Sequence, residues 1–220
     1  LEGVAMWDVA AQRQVEIIGP DAERFVRYLT PRDLKGLEIG RGKYVPICDH
    51  GGRLLNDPVL LRLEEHKFWF SIADSDMLLW VRAIANERGY EVAVHEPDVS
   101  PMAIQGPKAV EVVADLFGDW VRDLKHFWFK QTEIEGIPLV VARSGWSKQG
   151  GYELYLCDGT RGAALWDMVK EAGTPFDIGP GAPNYIERVE SGLLSFSADT
   201  LPDSSPFEFG LGRMIDLDRD

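Results

Sequence analysis

Apolar residues along the chain alternate or return at helical spacing in short runs, and one such run occurs twice. Val15-Glu16-Ile17-Ile18-Gly19-Pro20-Asp21-Ala22 and Met102-Ala103-Ile104-Gln105-Gly106-Pro107-Lys108-Ala109 each read as a strand, a Gly-Pro turn and a helix start. Behind the first, Phe25, Tyr28 and Leu29 recur at helical spacing; behind the second, Val110, Val113, Leu116 and Phe117 do the same. The proline suits the first turn of a helix, where its missing N–H is not needed. Two copies of one α/β unit are therefore predicted.

Between the copies the pattern predicts a β-meander. Its strands run Lys43 to Cys48, Leu54 to Leu63 and Phe68 to Ile72, with turns at Asp49-His50-Gly51-Gly52 and near Glu65-His66. An amphipathic helix from about Asp76 to Arg88 follows, with Leu78, Leu79, Val81, Ile84 and Ala85 as its apolar side and Gly89 as its stop. Tyr90 to His95 returns as a strand. Further on, Leu139 to Arg143 and Tyr152 to Cys157 form a hairpin around the glycine-bearing segment Ser144 to Gly151. Helices are predicted at about Gly162 to Ala172 and Asn184 to Phe196, separated by a loop at Gly179-Pro180-Gly181-Ala182-Pro183. Helices mixed with antiparallel strands make the fold class α+β.

Composition then narrows the function. With 45% hydrophobic residues in 220, the chain can bury a core as one large domain or two small ones. No apolar run reaches the ~18 residues that span a bilayer. Residues 1 to 30 lack a signal-peptide profile, so the expectation is a soluble cytoplasmic chain with no membrane partner. A net charge of −13 opposes the phosphate attraction on which nucleic-acid binding depends, and no nucleic-acid partner is expected. Cys48 and Cys157 form no CxxC, there is no HExxH, and His50, His66, His95 and His126 do not cluster, so no metal site is expected. The two cysteines read as free thiols of a reducing compartment, with a single disulfide as the alternative.

Three segments hold residues that could carry chemistry. Ser144-Gly145-Trp146-Ser147-Lys148-Gln149-Gly150-Gly151-Tyr152-Glu153 gathers two aromatics, hydroxyls, a cation and a carboxylate, but matches neither GxxxxGK[ST] nor GxSxG. It reads either as a hairpin turn with glycines at positive φ or as a rim where Trp146 stacks a flat ring and Glu153 reads its edge. Asn56-Asp57-Pro58 interrupts an apolar strand, and proline inside a sheet is confined to edges and bulges. Asp57 is thus either a solvated edge carboxylate or one that a bulge aims into a pocket; Tyr44, on the neighbouring strand, reads first as core. Arg188 and Glu190 read as a structural charge network. Of the seven tryptophans, Trp7, Trp69, Trp80, Trp120, Trp128, Trp146 and Trp166, most are expected in the core, with one or two left to face a cation.

Taken in order, several segments resemble the glycine-cleavage T-protein (aminomethyltransferase) family across nearly the whole chain. They are Trp7-Asp8-Val9, Gly19-Pro20-Asp21-Ala22, Gly51-Gly52 followed by Asp57, Ile104-Gln105-Gly106-Pro107, Ser144-Gly145-Trp146 through Gly151-Tyr152-Glu153, and Glu187-Arg188-Val189-Glu190. Trp7 through Glu16, Asn56-Asp57-Pro58-Val59, Ser71-Ile72-Ala73-Asp74-Ser75-Asp76, Ala142 through Glu153 and Pro183-Asn184-Tyr185-Ile186-Glu187-Arg188 look like its dimethylsulfoniopropionate demethylase branch. The resemblance implies duplicated α/β units and antiparallel sheets around a central folate cavity. It divides the chain into interleaved subdomains of about 1–42 with 98–220, and 43–97. The family's earlier start and its C-terminal β-barrel are expected to lie outside this sequence.

The same resemblance implies tetrahydrofolate as methyl acceptor, no metal, and dimethylsulfoniopropionate as the small-molecule donor. Asp57 would be catalytic, and Tyr44, Asp57, Trp146, Glu153 and Tyr155 would hold the folate, with Glu153 as the pterin-reading carboxylate. Trp146, Ser147 and Lys148 would meet the donor. Asn184 replaces an arginine that typical T-proteins use on the folate, so the glutamyl tail must be held differently or by residues outside this chain, and Ile72 likewise falls where those proteins have an asparagine. The oligomeric state stays open, a dimer included. An aminomethyl donor, an aryl methyl ether donor and a non-catalytic folate-binding protein are the competing readings.

Overall fold

The computed structural model describes residues 2–72 and 77–218. In chain order the first half holds β1 (Val4–Asp8), β2 (Arg13–Ile18), α1 (Ala22–Leu29), β3 (Arg41–Tyr44), β4 (Ile47–Cys48), β5 (Leu54–Asn56), β6 (Val59–Glu64), β7 (Lys67–Ile72), α2 (Met77–Arg88) and β8 (Ala93–His95). The second half holds β9 (Ser100–Gln105), α3 (Ala109–Phe117), β10 (Phe129–Ile134), β11 (Ile137–Ala142), β12 (Gly151–Leu156), α4 (Gly162–Gly173), β13 (Ile178–Pro180), α5 (Tyr185–Glu190) and α6 (Phe196–Asp199). Two compact units result, residues 1–11 with 98–193 and residues 12–97 with 194–220. Where the sequence reading put residues 12–42 with the second copy, the ladders put them with the first: β2 pairs with β7 and β8, and β3 with β6.

The repeat extends well beyond its sequence motif. In one unit the order β2–α1–β3–β6–β7–α2–β8 builds a sheet ordered β3-β6-β7-β2-β8; in the other, β9–α3–β10–β11–β12–α4–β13 builds β10-β11-β12-β9-β1-β13. Element for element the two agree, with β1 inserted between β9 and the last strand. β1 runs antiparallel to β9 and parallel to β13, so the last strand keeps the same sense relative to the strand before the Gly-Pro turn.

Both Gly-Pro turns have one physical cause. Ala22 N–H donates to Gly19 O (3.0 Å) and Ala109 N–H to Gly106 O (3.1 Å). Asp21 at φ −90°, ψ 4° and Lys108 at φ −102°, ψ 8° complete type I turns with proline at the second position. The prolines therefore stand two residues ahead of the first helical residue and not within the first turn. The glycines sit at φ +147° and +128°, and a Cβ there would come within 2.4 Å of Glu91 O and 2.6 Å of Gly3 O. Only glycine lets the neighbouring backbone pass so close.

Alternation gives each sheet one face for its helices. Val15, Ile17, Phe68, Phe70 and Ile72 pack with Ala22, Phe25, Val26 and Leu29 of α1 and with Met77, Val81, Ile84 and Ala85 of α2. Met6, Ile104, Leu139, Val141, Tyr152 and Leu154 do the same against α3 and α4. Leu79, expected on the apolar side of α2, is 69% exposed, because it lies off the stripe set by Met77, Val81 and Ile84. The expected start of α2 at Asp76, like Ala73-Asp74-Ser75, lies outside the described residues. Gly89, at φ +67°, ends α2 as expected, with Tyr90 N–H reaching Ala85 O at 3.0 Å.

Other expectations change. The long strand from Leu54 to Leu63 breaks at Asp57-Pro58: β5 pairs with β4 in a separate two-stranded sheet, while β6 joins β3 and β7. Part of the Gly179–Pro183 loop is β13, and β1 and β10 were not anticipated at all. The helix expected to reach Phe196 ends at Glu190, because Gly192 turns at φ +63°. Trp7 and Trp69 alone among the tryptophans are buried; the other five keep part of the ring in contact with solvent. Cys48 and Cys157 are free thiols. Among the described residues no helix is long and apolar enough to cross a membrane.

Gly19→Ala and Gly106→Ala are each expected to lower unfolding free energy by about 2 kcal/mol or more, because strain and backbone overlap add. Gly136→Ala, at φ +73° with open space around it, should cost about 1 kcal/mol. Urea unfolding of the three variants checks the order; equal losses would contradict the close approach.

Candidate functional site

The side chains with chemistry lie mostly on the sheet faces turned away from the helices. Register places Tyr44 opposite Val59 in β3/β6, on the same side as Leu61, Trp69, Ser71, Glu16 and Gln14. In the other unit Gln105, Ala103, Glu153, Tyr155, Ala5 and Trp7 share the corresponding side.

Asp57 stands where the chain leaves one sheet for another. Two prolines bound this switch, Pro46 after β3 and Pro58 before β6, and Val45 N–H to Pro58 O (2.9 Å) closes it. Tyr44 Oη donates to Asp57 Oδ2 at 2.7 Å. The buried Asn56 accepts the Asp57 N–H on Oδ1 at 2.9 Å, fixing the peptide from which the carboxyl projects. Burial outweighs the hydrogen bonds that the carboxyl accepts from Tyr44 and from its own backbone N–H, and pushes the Asp57 carboxyl up to about 6. Burial, and after it the Asp57 charge, raises the Tyr44 hydroxyl, which stays a donor. Arg32 donates to Tyr44 O and lies 3.6 Å from Met214 Sδ; burial, then Arg213, lowers it. The expected bulge is thus a crossing between sheets, but the consequence for Asp57 is the one expected of a bulge: the carboxyl turns inward.

Glu153, on β12, is 8% exposed. Ser144 Oγ and Tyr155 Oη both donate to its Oε2, the latter at 3.3 Å, while Oε1 accepts no hydrogen bond among the described residues. Burial raises this carboxyl and the two hydroxyls oppose the rise. The Ser144–Gly151 loop is a hairpin turn with glycines at positive φ, Gly145, Gly150 and Gly151, as well as Lys148, and its Ser144 hydroxyl donates to Glu153.

The remaining sequence-derived site residues separate into two groups. Trp146, partly exposed, meets Tyr185 edge-on with centroids 6.5 Å apart. Ser147 is buried and donates to Gln105 Oε1 at 2.7 Å, and Lys148 Nζ donates to Ser191 O. These two spend their polar groups inside their own unit, because the loop folds back on β9 and α5. Gln149 likewise donates to Glu187. Asn184 caps α5, accepting from Ile186 N–H (2.9 Å) and Glu187 N–H (3.3 Å). Arg188 is buried, donates to Leu193 O at 3.4 Å and lies over the Tyr185 ring; Glu190 is exposed. Gln105 was missed as a site residue, though a glutamine ending an apolar strand was the available signal.

Comparison with known proteins places this geometry. The family model described as GCVT N-terminal domain matches residues 1–219. The chain is 46% identical over 219 residues to dimethylsulfoniopropionate demethylase DmdA of Ruegeria pomeroyi, covering 100% of this chain and 60% of that protein. An aminomethyltransferase of Desulfitobacterium hafniense is 26% identical, covering 98% of this chain and 60% of that protein. Among solved structures, glycine cleavage system aminomethyltransferase T from Bartonella henselae matches in fold with a TM-score of 0.85 at 24% identity, over 98% of this chain and 58% of that one. The chain spans about 60% of the length of the curated relatives it matches.

The raised Asp57 carboxyl has a stability consequence with a definite sign. Below about pH 4 it is protonated in folded and unfolded chains alike. Between about 4 and 6 the folded state holds the proton more tightly, so its contribution to stability falls as pH rises and is fully unfavourable above 6. Asp57→Asn should therefore gain about 1–3 kcal/mol over the parent in urea unfolding at pH 8, and the gain should vanish towards pH 4. The same difference at both pH values would contradict the assignment.

Proposed function

We propose, given that this chain belongs to the GCVT N-terminal domain family, that it is part of a tetrahydrofolate-dependent methyltransferase that takes a methyl group from the sulfonium of dimethylsulfoniopropionate. The donor rests on the 46% identity to a demethylase of that substrate, against 26% to an aminomethyltransferase. A cytoplasmic location is part of the same reading.

One observation carries the folate half of the reading. Glu153 is a buried carboxylate with one oxygen held by two hydroxyls and the other accepting nothing among the described residues. A carboxylate oxygen with no protein donor can accept from a ligand, and the amino and ring N–H groups of a pterin edge are such donors. Trp146 offers a partly exposed aromatic face on the same loop, suited to a flat ring.

The chemistry follows from the two reactants. The amine N5 of tetrahydrofolate attacks the sulfonium methyl carbon; a C–N bond forms as the C–S bond breaks, and the C–S electron pair returns to sulfur. Methylthiopropionate, 5-methyltetrahydrofolate and one proton result. The departing sulfur becomes a neutral thioether, so the protein's task is alignment, which can supply about 7–11 kcal/mol, and removal of the amine proton. Asp57 suits the second role: held near 6, it is ionised at neutral pH yet more basic than an ordinary aspartate, with Tyr44 fixing one oxygen.

The full-length protein incubated with both substrates should produce 5-methyltetrahydrofolate, measured by chromatography. Asp57→Asn should lower kcat about 100-fold or more with folate affinity little changed. Glu153→Gln should weaken folate binding about 10- to 100-fold, the value of a hydrogen bond to a charged group. Product from an aminomethyl or aryl ether donor and none from the sulfonium would replace the donor. Turnover unaffected by Asp57→Asn would remove the catalytic role.

A further inference from the structure

The two copies of the repeated unit differ at one equivalent position in a way the fold does not require. Ile18 and Gln105 each precede a Gly-Pro turn, and the glycine that follows each donates to the adjoining hairpin: Gly19 N–H to His66 O at 3.1 Å, Gly106 N–H to Gly150 O at 3.0 Å. Ile18 pairs with Lys67 and is 37% exposed. Gln105 pairs with Gly151 and is 1% exposed. An apolar residue at the surface in one copy is a sealed amide in the other.

A buried amide is tolerated only when its donors and acceptor are satisfied. Here they are, all by one hairpin. Nε2 donates to Ser144 O at 3.1 Å and to Tyr152 O at 3.2 Å, and Oε1 accepts from Ser147 Oγ at 2.7 Å. Ser147 Oγ in turn accepts the Gln149 N–H at 3.2 Å. The loop is also shaped around this group. A Cβ on Gly145 would stand 2.2 Å from the Gln105 amide and one on Gly151 2.7 Å from it, with both glycines at φ near +150°. Equivalent hairpin β6/β7 closes with a tight turn at Glu65-His66 and has no such group to wrap.

We infer that Gln105 is the positioning residue of the Ser144–Gly151 loop: by pinning the Ser144 carbonyl and the Ser147 hydroxyl it aims the Ser144 hydroxyl at Glu153 and seats Trp146, which lies between the two pinned residues. The clamp itself stands on geometry alone; its consequence for ligand binding rests on the folate reading. The Ser144 hydroxyl stabilises the charged form of Glu153. Releasing the loop removes that donor, so the Glu153 carboxyl rises further and a pterin edge loses its ionised partner at a higher pH.

Two readouts on the full-length protein test this: hydrogen exchange of backbone amides, and tetrahydrofolate affinity across pH. Gln105→Leu should speed exchange at residues 145–151 about tenfold or more, while amides of β10 and α4 keep their rates. It should also weaken tetrahydrofolate and move the acid limb of binding to higher pH, which a mere loss of global stability does not do. Ser147→Ala, which deletes one donor to the same amide and adds no bulk, should shift both quantities in the same direction by less, and serves alone if Gln105→Leu does not fold. Unchanged loop exchange and an unchanged acid limb, with or without a lower Tm, overturn the inference. A parent that binds no tetrahydrofolate while loop exchange still rises overturns the folate reading and leaves the clamp.

Discussion

Holding a carboxyl group out of water demands donors at fixed positions, and much of the unit built from residues 1–11 and 98–193 can be read as the supply of those donors to Glu153. Tyr155, two residues along the same strand, points the same way by alternation and reaches Oε2. Ser144 must come from the other end of the hairpin, and the loop that brings it back is long, rich in positive φ and closed over Gln105. The positive φ of Gly145 and Gly151, the burial of Ser147 and the shape of the hairpin follow from that requirement. What remains is an oxygen on Glu153 to which no donor among the described residues is assigned.

The other unit solves a related problem differently. Its hairpin equivalent is short, and its carboxyl group sits where the chain crosses from a two-stranded sheet to a five-stranded one. Pro46 and Pro58 cannot donate to a ladder, so the β3/β6 pairing ends there and Asp57 is released from strand geometry. Tyr44, the last residue of β3, crosses to hold it. The hydrogen bonds that the carboxyl accepts from Tyr44 and from its own backbone N–H do not offset the loss of solvent, and the carboxyl stays more basic than usual. A group kept in that state is a stability cost retained by the fold, the pattern expected of a residue that exchanges a proton in a reaction.

Duplication explains how one scaffold carries both devices. The strand, the glycine that admits a passing backbone, the proline turn and the helix are common to both copies, and they form the inert side of each sheet. Differences gather on the opposite faces and in the hairpins. Trp69 stands in one copy where Glu153 stands in the other, and Trp69 donates its Nε1–H to Glu16 Oε2 at 2.7 Å, where Ala103 faces Glu153. The shared frame is a packing solution; the divergence from it is where chemistry becomes possible.

The Gly-Pro repeat, the helical stripes behind it, the meander and the hairpin around Ser144 were all legible in the sequence, because periodicity and turn chemistry are local properties that backbone sterics enforce. The resemblance of Asn56-Asp57-Pro58 and of Trp146 through Glu153 to a known family marked the segments in which the carboxyl groups of Asp57 and Glu153 are turned away from bulk solvent. Tertiary structure alone decided the rest. β1 and β13 are short strands with no periodicity of their own, recognisable only through the partners they add to. Whether Asp57 bulged within a strand or crossed between sheets depended on which neighbours its flanking residues found. Ser147 and Lys148 looked like ligand contacts until their partners, Gln105 and the Ser191 carbonyl, came from segments about forty residues away. Hydrogen-bond partners at that separation are set by the packing of whole strands, and no local pattern encodes them.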